Sequence, residues 1–347
     1  MQPTKLQEQL ESNRRSVAFD SYDITIRQLY DMICEEMIDI SPEYQRHFVW
    51  DEERQSQLIE SLFLGIPVPS LFMATNRDST WEVIDGLQRL TTIINYIGSD
   101  EIIKRTNERC KRLKIKGLEK LGSLNNSTYE DLPKSMQLMF QTRPIRVTVL
   151  NDRSDFEIRY DLFERLNTGG VILHPQEIRN CVFIGEFNDF LKECTENKDF
   201  RKVVKTTPKS ERQGSFEELV LKFFAYFQKR NEFVHSVKDF LNTYMEEKTK
   251  SFKDKKELKR IFENTFHKLA KELPQGIVRG NRTNITPLVL FEAISIGTAD
   301  ALIDNKNVSG ENLRNLLNDP ELKTLTSGAT NSRKSLNDRI NYVRDNV

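Results

Sequence analysis

Apolar positions along the chain follow two regimes. From about residue 20 to 180, short extended runs alternate with helix-period stretches, whereas beyond Pro175 nearly every periodic stretch repeats at three- and four-residue spacing. This division predicts an α+β domain followed by an all-α domain. In the first regime, EERQSQLIESLFLG places Leu58, Ile59, Leu62 and Phe63 on one helical face, and Gly65 with Pro67 beyond it supplies a stop. IPVPSLFMAT reads as a strand entering the core. After the polar turn NRDST, TWEVID alternates Trp81 and Val83 against Glu82 and ends at Asp85-Gly86, and LQRLTTIINYI carries Leu87, Leu90, Ile94 and Ile97 at helical offsets. These runs predict a strand, a tight glycine turn and a helix.

A polar insertion over about residues 100–139 precedes the strand PIRVTVL, and its basic half, KRTNERCKRLKIKG, reads as a solvated helix with a cationic face. In the second regime FEELVLKFFAYFQKR, VKDFLNTYMEEK, KKELKRIFENTFHKLAKEL and TPLVLFEAISIGTADALI each carry an apolar stripe and predict a helical bundle. The basic run RKVVKTTPKSERQGS reads as a mobile loop that either hangs in solvent or meets a polyanion. The predicted organisation is a polar segment at 1–19, an α+β domain at 20–180 and a helical domain at 181–347.

The 347 residues are enough for about two domains. With 52 Lys+Arg against 52 Asp+Glu the formal charge is zero, so any polyanion site must be local. A charged fraction of 30% is high, but 21 Phe supply a core that a disordered chain lacks. The longest nearly apolar stretch, 288–297, holds Glu292 and is about half of the ~20 residues needed to cross a bilayer. The start, MQPTKLQEQLESNRRS, has no apolar core of the signal-peptide kind, so a cytoplasmic protein with no membrane partner is expected. Cys34, Cys110, Cys181 and Cys194 show no C-x-x-C spacing and read as free thiols. Phosphate-loop, dinucleotide, hydrolase and zinc-protease motifs are all missing. His47, His174, His235 and His267 form no paired-His or His-Asn-His pattern, so neither a metal site nor a self-contained nuclease is predicted.

Chemistry concentrates at Asp85-Gly86-Leu87-Gln88-Arg89, where a strand hands over to a helix whose first amides carry partial positive charge. An arginine in the first helical turn opposes the macrodipole, so Arg89 marks a ligand candidate that an anion would reconcile with the helix end. Asp85 can position a water, hold a metal bridging phosphates, or simply cap the helix and pair with Arg89. Gly86 lets the backbone turn and approach a ligand closely. A second cluster, Tyr44-Gln45-Arg46-His47-Phe48-Val49-Trp50, sets aromatic faces beside a guanidinium, a surface on which bases stack; its alternative is a core role for Phe48 and Trp50. The helix FEIRYDLFERLN buries Phe156, Tyr160, Phe163 and Leu166 and ends with Arg165 and Asn167 before Gly169-Gly170. His174-Pro175 then starts a helix carrying Glu177, Arg179 and Asn180.

In this order the residues resemble the N-terminal domain of GmrSD-type restriction enzymes and related phage-defence proteins, which has the ParB/sulfiredoxin-like fold. The likeness covers roughly residues 20–190. The family's Y-Q-R-x-[YF]-x-W element falls on Tyr44, Gln45, Arg46, Phe48 and Trp50, and its G-x-P-x-P turn on Gly65, Pro67 and Pro69. Its I-D-G-Q-Q-R-L-T-T signature falls on residues 84–92, and F-x-R-x-N-x-G-G on Phe163, Arg165, Asn167, Gly169 and Gly170. The L-x-x-x-E-[IL]-R-[NH] start falls on Leu173, Glu177, Ile178, Arg179 and Asn180.

The resemblance implies a nucleotide-dependent sensor that controls DNA cleavage and binds and hydrolyses a nucleoside triphosphate with Mg²⁺. Arg89 and the helix amides would hold phosphates, Asp85 and Gln88 would orient water or Mg²⁺, and Arg46 would add a second cation. Tyr44 or Trp50 would flank the base or sugar, with Gln45, Gly86, Arg165, Asn167, Glu177, Arg179 and Asn180 completing the binding set. Leu87 replaces the motif's first Gln and begins the apolar stripe. Many relatives carry a C-terminal His-Asn-His nuclease, whose histidines are missing here, so the effector or nuclease is expected on a separate chain, with an oligomer as a further expectation. Two readings compete with the NTPase. One is a DNA-binding sensor of the same fold, working through the basic 104–116 and 201–212 segments without hydrolysis. The other is direct phosphodiester cleavage at Asp85 and Arg89, which the lack of a second nearby carboxylate disfavours.

Overall fold

The computed structural model describes residues 5–8, 19–40, 48–76, 78–106, 110–151, 156–166, 173–280, 284–328 and 330–347. Of the candidate residues, Tyr44, Gln45, Arg46 and Asn167 lie outside the described residues. The chain divides into two units, Met1–Ile172 and Leu173–Val347.

In the first unit, β1 (Phe19–Thr25) passes directly into α1 (Ile26–Cys34). The Thr25 hydroxyl accepts the Gln28 amide while the Gln28 side chain accepts the Thr25 amide, which satisfies two donors at the helix start. β2 (Ile38–Asp39), α2 (Glu52–Leu64), β3 (Leu71–Thr75), β4 (Trp81–Asp85), α3 (Leu87–Ile97), α4 (Asp100–Thr106), α5 (Lys134–Gln141), β5 (Pro144–Leu150) and α6 (Phe156–Leu166) follow. The strands form one mixed sheet in the order β1-β5-β3-β4-β2. β1 runs antiparallel to β5 and β3 antiparallel to β4, while β5 with β3 and β2 with β4 are parallel.

Leu71, Met73, Val83, Val147 and Val149 face a core shared with Leu29 of α1, Ile59 and Leu62 of α2, and Leu90 and Ile94 of α3. α2 buries the stripe its spacing predicts, and Gly65 closes it in the left-handed conformation at φ 72°. Leu87 packs against the same core.

Two expectations change in this unit. Alternation along β4 puts Glu82 on the face opposite Val83, yet Glu82 is only 1% exposed because α6 packs on that strand. Arg159 of α6 donates to Glu82 Oε1 at 3.3 Å and to the Thr75 carbonyl at 3.4 Å. Burial pushes the Glu82 carboxyl from its ordinary 4.5 up to about 8; Arg159 pulls it down and Asp39, opposite it in the β2–β4 register, pushes it up. The native state thus keeps a proton that the unfolded chain releases above pH 4.5. Its stabilising contribution is full below that value and is lost as the pH rises through about 8. Glu82→Gln is therefore expected to unfold at the wild-type urea concentration near pH 5 but to be more stable near pH 9, by on the order of a few kcal/mol. Urea midpoints at the two pH values decide this, and an equal difference at both would refute it.

The second change concerns the basic half of the insertion, which is not a solvated helix. Its first three residues, 104–106, end α4, and residues 110–116 carry no regular structure, with Leu113 and Ile115 buried beside exposed Lys114 and Lys116. Leu113 donates to the Asn95 carbonyl and Ile115 to that of Ser127. A period of two over only two apolar positions is too short to stand out within a basic run, and the neighbouring helices provide the surface it packs on.

Among the described residues of the second unit the α-helices are α7 (Pro175–Val182), α8 (Glu186–Thr195), α9 (Lys198–Val203), α10 (Pro208–Arg212), α11 (Ser215–Lys229), α12 (Val237–Lys250), α13 (Lys255–Glu272), α14 (Leu288–Ile303), α15 (Gly310–Asn318), α16 (Pro320–Leu325) and α17 (Arg333–Asn346), with a short 3-10 helix at Arg230–Glu232 and no strand of two or more residues. Rings of Phe200, Phe223, Phe262, Phe266 and Phe291 pack together at its centre. The run read as a mobile loop is instead built into this unit. It contributes the end of α9 and all of α10, and Lys205 exchanges backbone and hydroxyl hydrogen bonds with Thr286.

Candidate functional site

The sequence Asp85-Gly86-Leu87-Gln88-Arg89 forms the β4–α3 turn. Asp85 ends the strand, and Gly86 occupies the helix N-cap with φ 105° and ψ 9°. That backbone conformation is open to glycine and strained for other residues. Space demands glycine as well, because a Cβ on Gly86 would lie 2.3 Å from Leu71 Cδ2. With no side chain of its own, Gly86 leaves the start of α3 without a side-chain cap from the N-cap position.

Arg89 reconciles itself with the helix end through protein groups. One guanidinium nitrogen donates to Asp85 Oδ2 at 2.6 Å, and the other donates to the carbonyls of Pro69 and, at 3.0 Å, Ser70. The Arg89 side chain is 12% exposed and that of Asp85 32%. Arg89 thus ties the G-x-P-x-P turn to the end of β4, and it holds the part-exposed Asp85 carboxylate through Oδ2. Asp85 Oδ1 accepts no hydrogen bond among the described residues.

Gln88 reaches in another direction. Its Oε1 accepts the amides of Val49 at 3.0 Å and Trp50 at 3.2 Å. The end of the 44–50 element is therefore pinned to the first turn of α3, so two of the sequence clusters meet at one place. The Trp50 ring lies under the Arg54 guanidinium, 4.8 Å away, and Asp51 caps α2 through the Arg54 amide. Gln55 and Asn95, which the sequence reading passed over, belong to the same cluster: Gln55 donates to the Trp50 carbonyl and accepts from Asn95. Their signal was available, since Gln55 sits on the α2 stripe four residues before Ile59 and Asn95 lies seven residues after Gln88 on α3.

Arg165 is exposed on the last turn of α6. Glu177, Arg179 and Asn180 lie on α7 in the second unit, where Arg179 is buried and donates to Asn242 Oδ1 at 2.8 Å and Gln176 Oε1 at 3.1 Å. Glu177 Oε2 accepts the His174 amide in a capping arrangement, and Asn180 Oδ1 accepts from Gln176.

No group of three or more His, Cys, Asp or Glu among the described residues is placed to hold a metal ion. What the turn offers a divalent cation is the single Asp85 carboxylate, because Gln88 Oε1 already serves two amides. That donor set suits Mg²⁺, which commonly takes one or two carboxylates together with substrate phosphates.

Residues 26–184 match the model of the GmrSD restriction endonuclease, N-terminal domain. The chain carries a GmrSD-type N-terminal domain. This links it to restriction and phage-defence proteins. No curated protein sequence matches the chain. The GmrSD-type match begins at the first residue of α1, and it extends past Leu173 to include α7 with Glu177, Arg179 and Asn180. No helix of the described residues is long and apolar enough to cross a membrane.

Proposed function

We propose that the protein is a nucleotide-binding and nucleotide-hydrolysing regulatory component of a restriction or phage-defence system. It works at the β4–α3 turn of a ParB/sulfiredoxin-like domain and acts through an effector carried on a separate chain. The observation that supports this best is the Gly86 turn, which puts a part-exposed carboxylate, a half-buried guanidinium and the positive end of α3 within one strand-to-helix connection. Phosphate oxygens are matched by amides at a helix start, and Asp85 supplies the oxygen that a phosphate-bound Mg²⁺ or an attacking water needs. Arg89, fixed by the carbonyls of Pro69 and Ser70, keeps that carboxylate oriented and offsets its charge as the polyanion arrives.

The competing DNA-sensing reading depends on free cations in the two basic segments, and several of these are already paired. Arg112 pairs with Asp100 and Glu130, Lys116 with Glu52, and Arg201 with Glu196 and Glu211.

The test is binding and phosphate release with Mg²⁺ across ATP, GTP, CTP and UTP. Wild type is expected to bind at least one and release phosphate. Asp85→Ala should retain binding and lose turnover by ~10²-fold, and Arg89→Ala should lose binding. Binding without turnover would reduce the function to a nucleotide-gated scaffold. Failure to bind any of the four would overturn the reading in favour of DNA sensing.

A further inference from the structure

The peptide of Trp50 is held from both sides. On the first turn of α3, Gln88 Oε1 takes its amide together with that of Val49, and from α2 Gln55 Nε2 donates to its carbonyl at 3.0 Å. Gln55 Oε1 then accepts Asn95 Nδ2 at 3.1 Å, which closes the circuit on α3 two turns beyond Gln88. Gln55 is 6% exposed and Asn95 2%. Amide side chains placed this deeply between two amphipathic helices cost free energy unless they are hydrogen-bonded, and apolar residues would fill the space more favourably. Their presence is explained by what they hold, the described residues 48–51, which have no regular structure and lead into the α2 cap.

We infer that Gln55, Gln88 and Asn95 are positioning residues that fix the Trp50 segment against the first turn of α3, beside the β4–α3 ligand site. Gln88 acts through this segment and does not itself touch the reacting water or the metal. The identity of the ligand rests on the nucleotide reading above; the clasp itself does not. Its two amide acceptances already occupy Gln88 Oε1, and the Gln55–Asn95 pair supports the same peptide from the opposite side, so loss of either glutamine should have one common effect on Trp50. A carboxylate at position 88 accepts two amides equally well, so Gln88→Glu should preserve the clasp.

The protein has two tryptophans, Trp50 and Trp81, so a Trp81→Phe background leaves Trp50 as the reporter. In that background Gln88→Ala and Gln55→Met should shift Trp50 emission to the red and increase its quenching by acrylamide, and Gln88→Glu should behave as the parent. Triphosphate affinity should fall about 10-fold in the first two variants, with turnover at saturating nucleotide unchanged, because a displaced segment alters binding and leaves the reacting groups in place. Gln55→Met keeps side-chain volume, so its effect cannot be assigned to a cavity. Unaltered Trp50 emission in both glutamine variants would overturn the inference. So would loss of turnover at unaltered affinity in Gln88→Ala, which would put Gln88 on the reacting groups. If the parent binds no triphosphate, the nucleotide reading fails, and the fluorescence comparison still decides the clasp by the same criterion.

Discussion

Replacement of Gly86 by alanine is expected to destabilise the sheet-bearing unit by about 3 kcal/mol. Two independent costs add. A non-glycine residue held at φ 105° loses roughly 1–2 kcal/mol to backbone strain. The new methyl group also lands 2.3 Å from Leu71 Cδ2, and Leu71 is fully buried in the core, so overpacking adds about 1–3 kcal/mol. Leu71 cannot swing aside without displacing β3, which pairs with both β4 and β5. Urea unfolding followed by tryptophan emission measures this unit selectively, because both Trp50 and Trp81 lie in it. A midpoint equal to wild type would show that Leu71 yields and that the turn is not a rigid platform for Asp85 and Arg89.

In the helical unit, the largest loss is expected from Arg339→Ala, about 3–5 kcal/mol. Arg339 on α17 is buried and donates to Glu292 Oε2 of α14 at 2.6 Å and to the Thr330 carbonyl at 2.9 Å. Lys222 of α11 stands 3.8 Å from the other Glu292 oxygen and also pairs with Glu218. Removing the guanidinium leaves the Glu292 carboxylate desolvated with one distant cation, and the penalty is that of an incompletely paired buried charge rather than of one hydrogen bond. The double variant Arg339→Met with Glu292→Leu should therefore recover part of the loss. Far-UV circular dichroism under urea follows both. A single variant no worse than the double would show that the ion pair does not carry its expected cost.

Much of the local structure was legible. The stripe at Leu58, Ile59, Leu62 and Phe63 with Gly65 behind it reads directly as a capped helix, because each signal acts within a few residues of the next. The same holds for β4, Gly86 and α3. The order of the short motifs pointed to the GmrSD-type domain before any geometry was known. Glu292, visible as the lone charge in an apolar run, was a legible oddity whose explanation, Arg339, lies 47 residues away.

What was not legible depends on partners distant in sequence. The same five residues allowed Arg89 to be a ligand group or an internal ion pair; only the approach of Pro69 and Ser70 shows how its donors are used. Gln88 read as a group for water or metal until the Val49 and Trp50 amides were seen to meet it. Glu82 alternated outward along its strand, and α6, arriving from more than 70 residues later, buried it. Periodicity and turn chemistry are properties of neighbouring residues, so the sequence by itself determined α2, β4, α3 and the glycine at the β4–α3 turn. The partner of each buried polar group was decided by the tertiary structure, because desolvation forces such a group to bond with whatever segment packing brings to it.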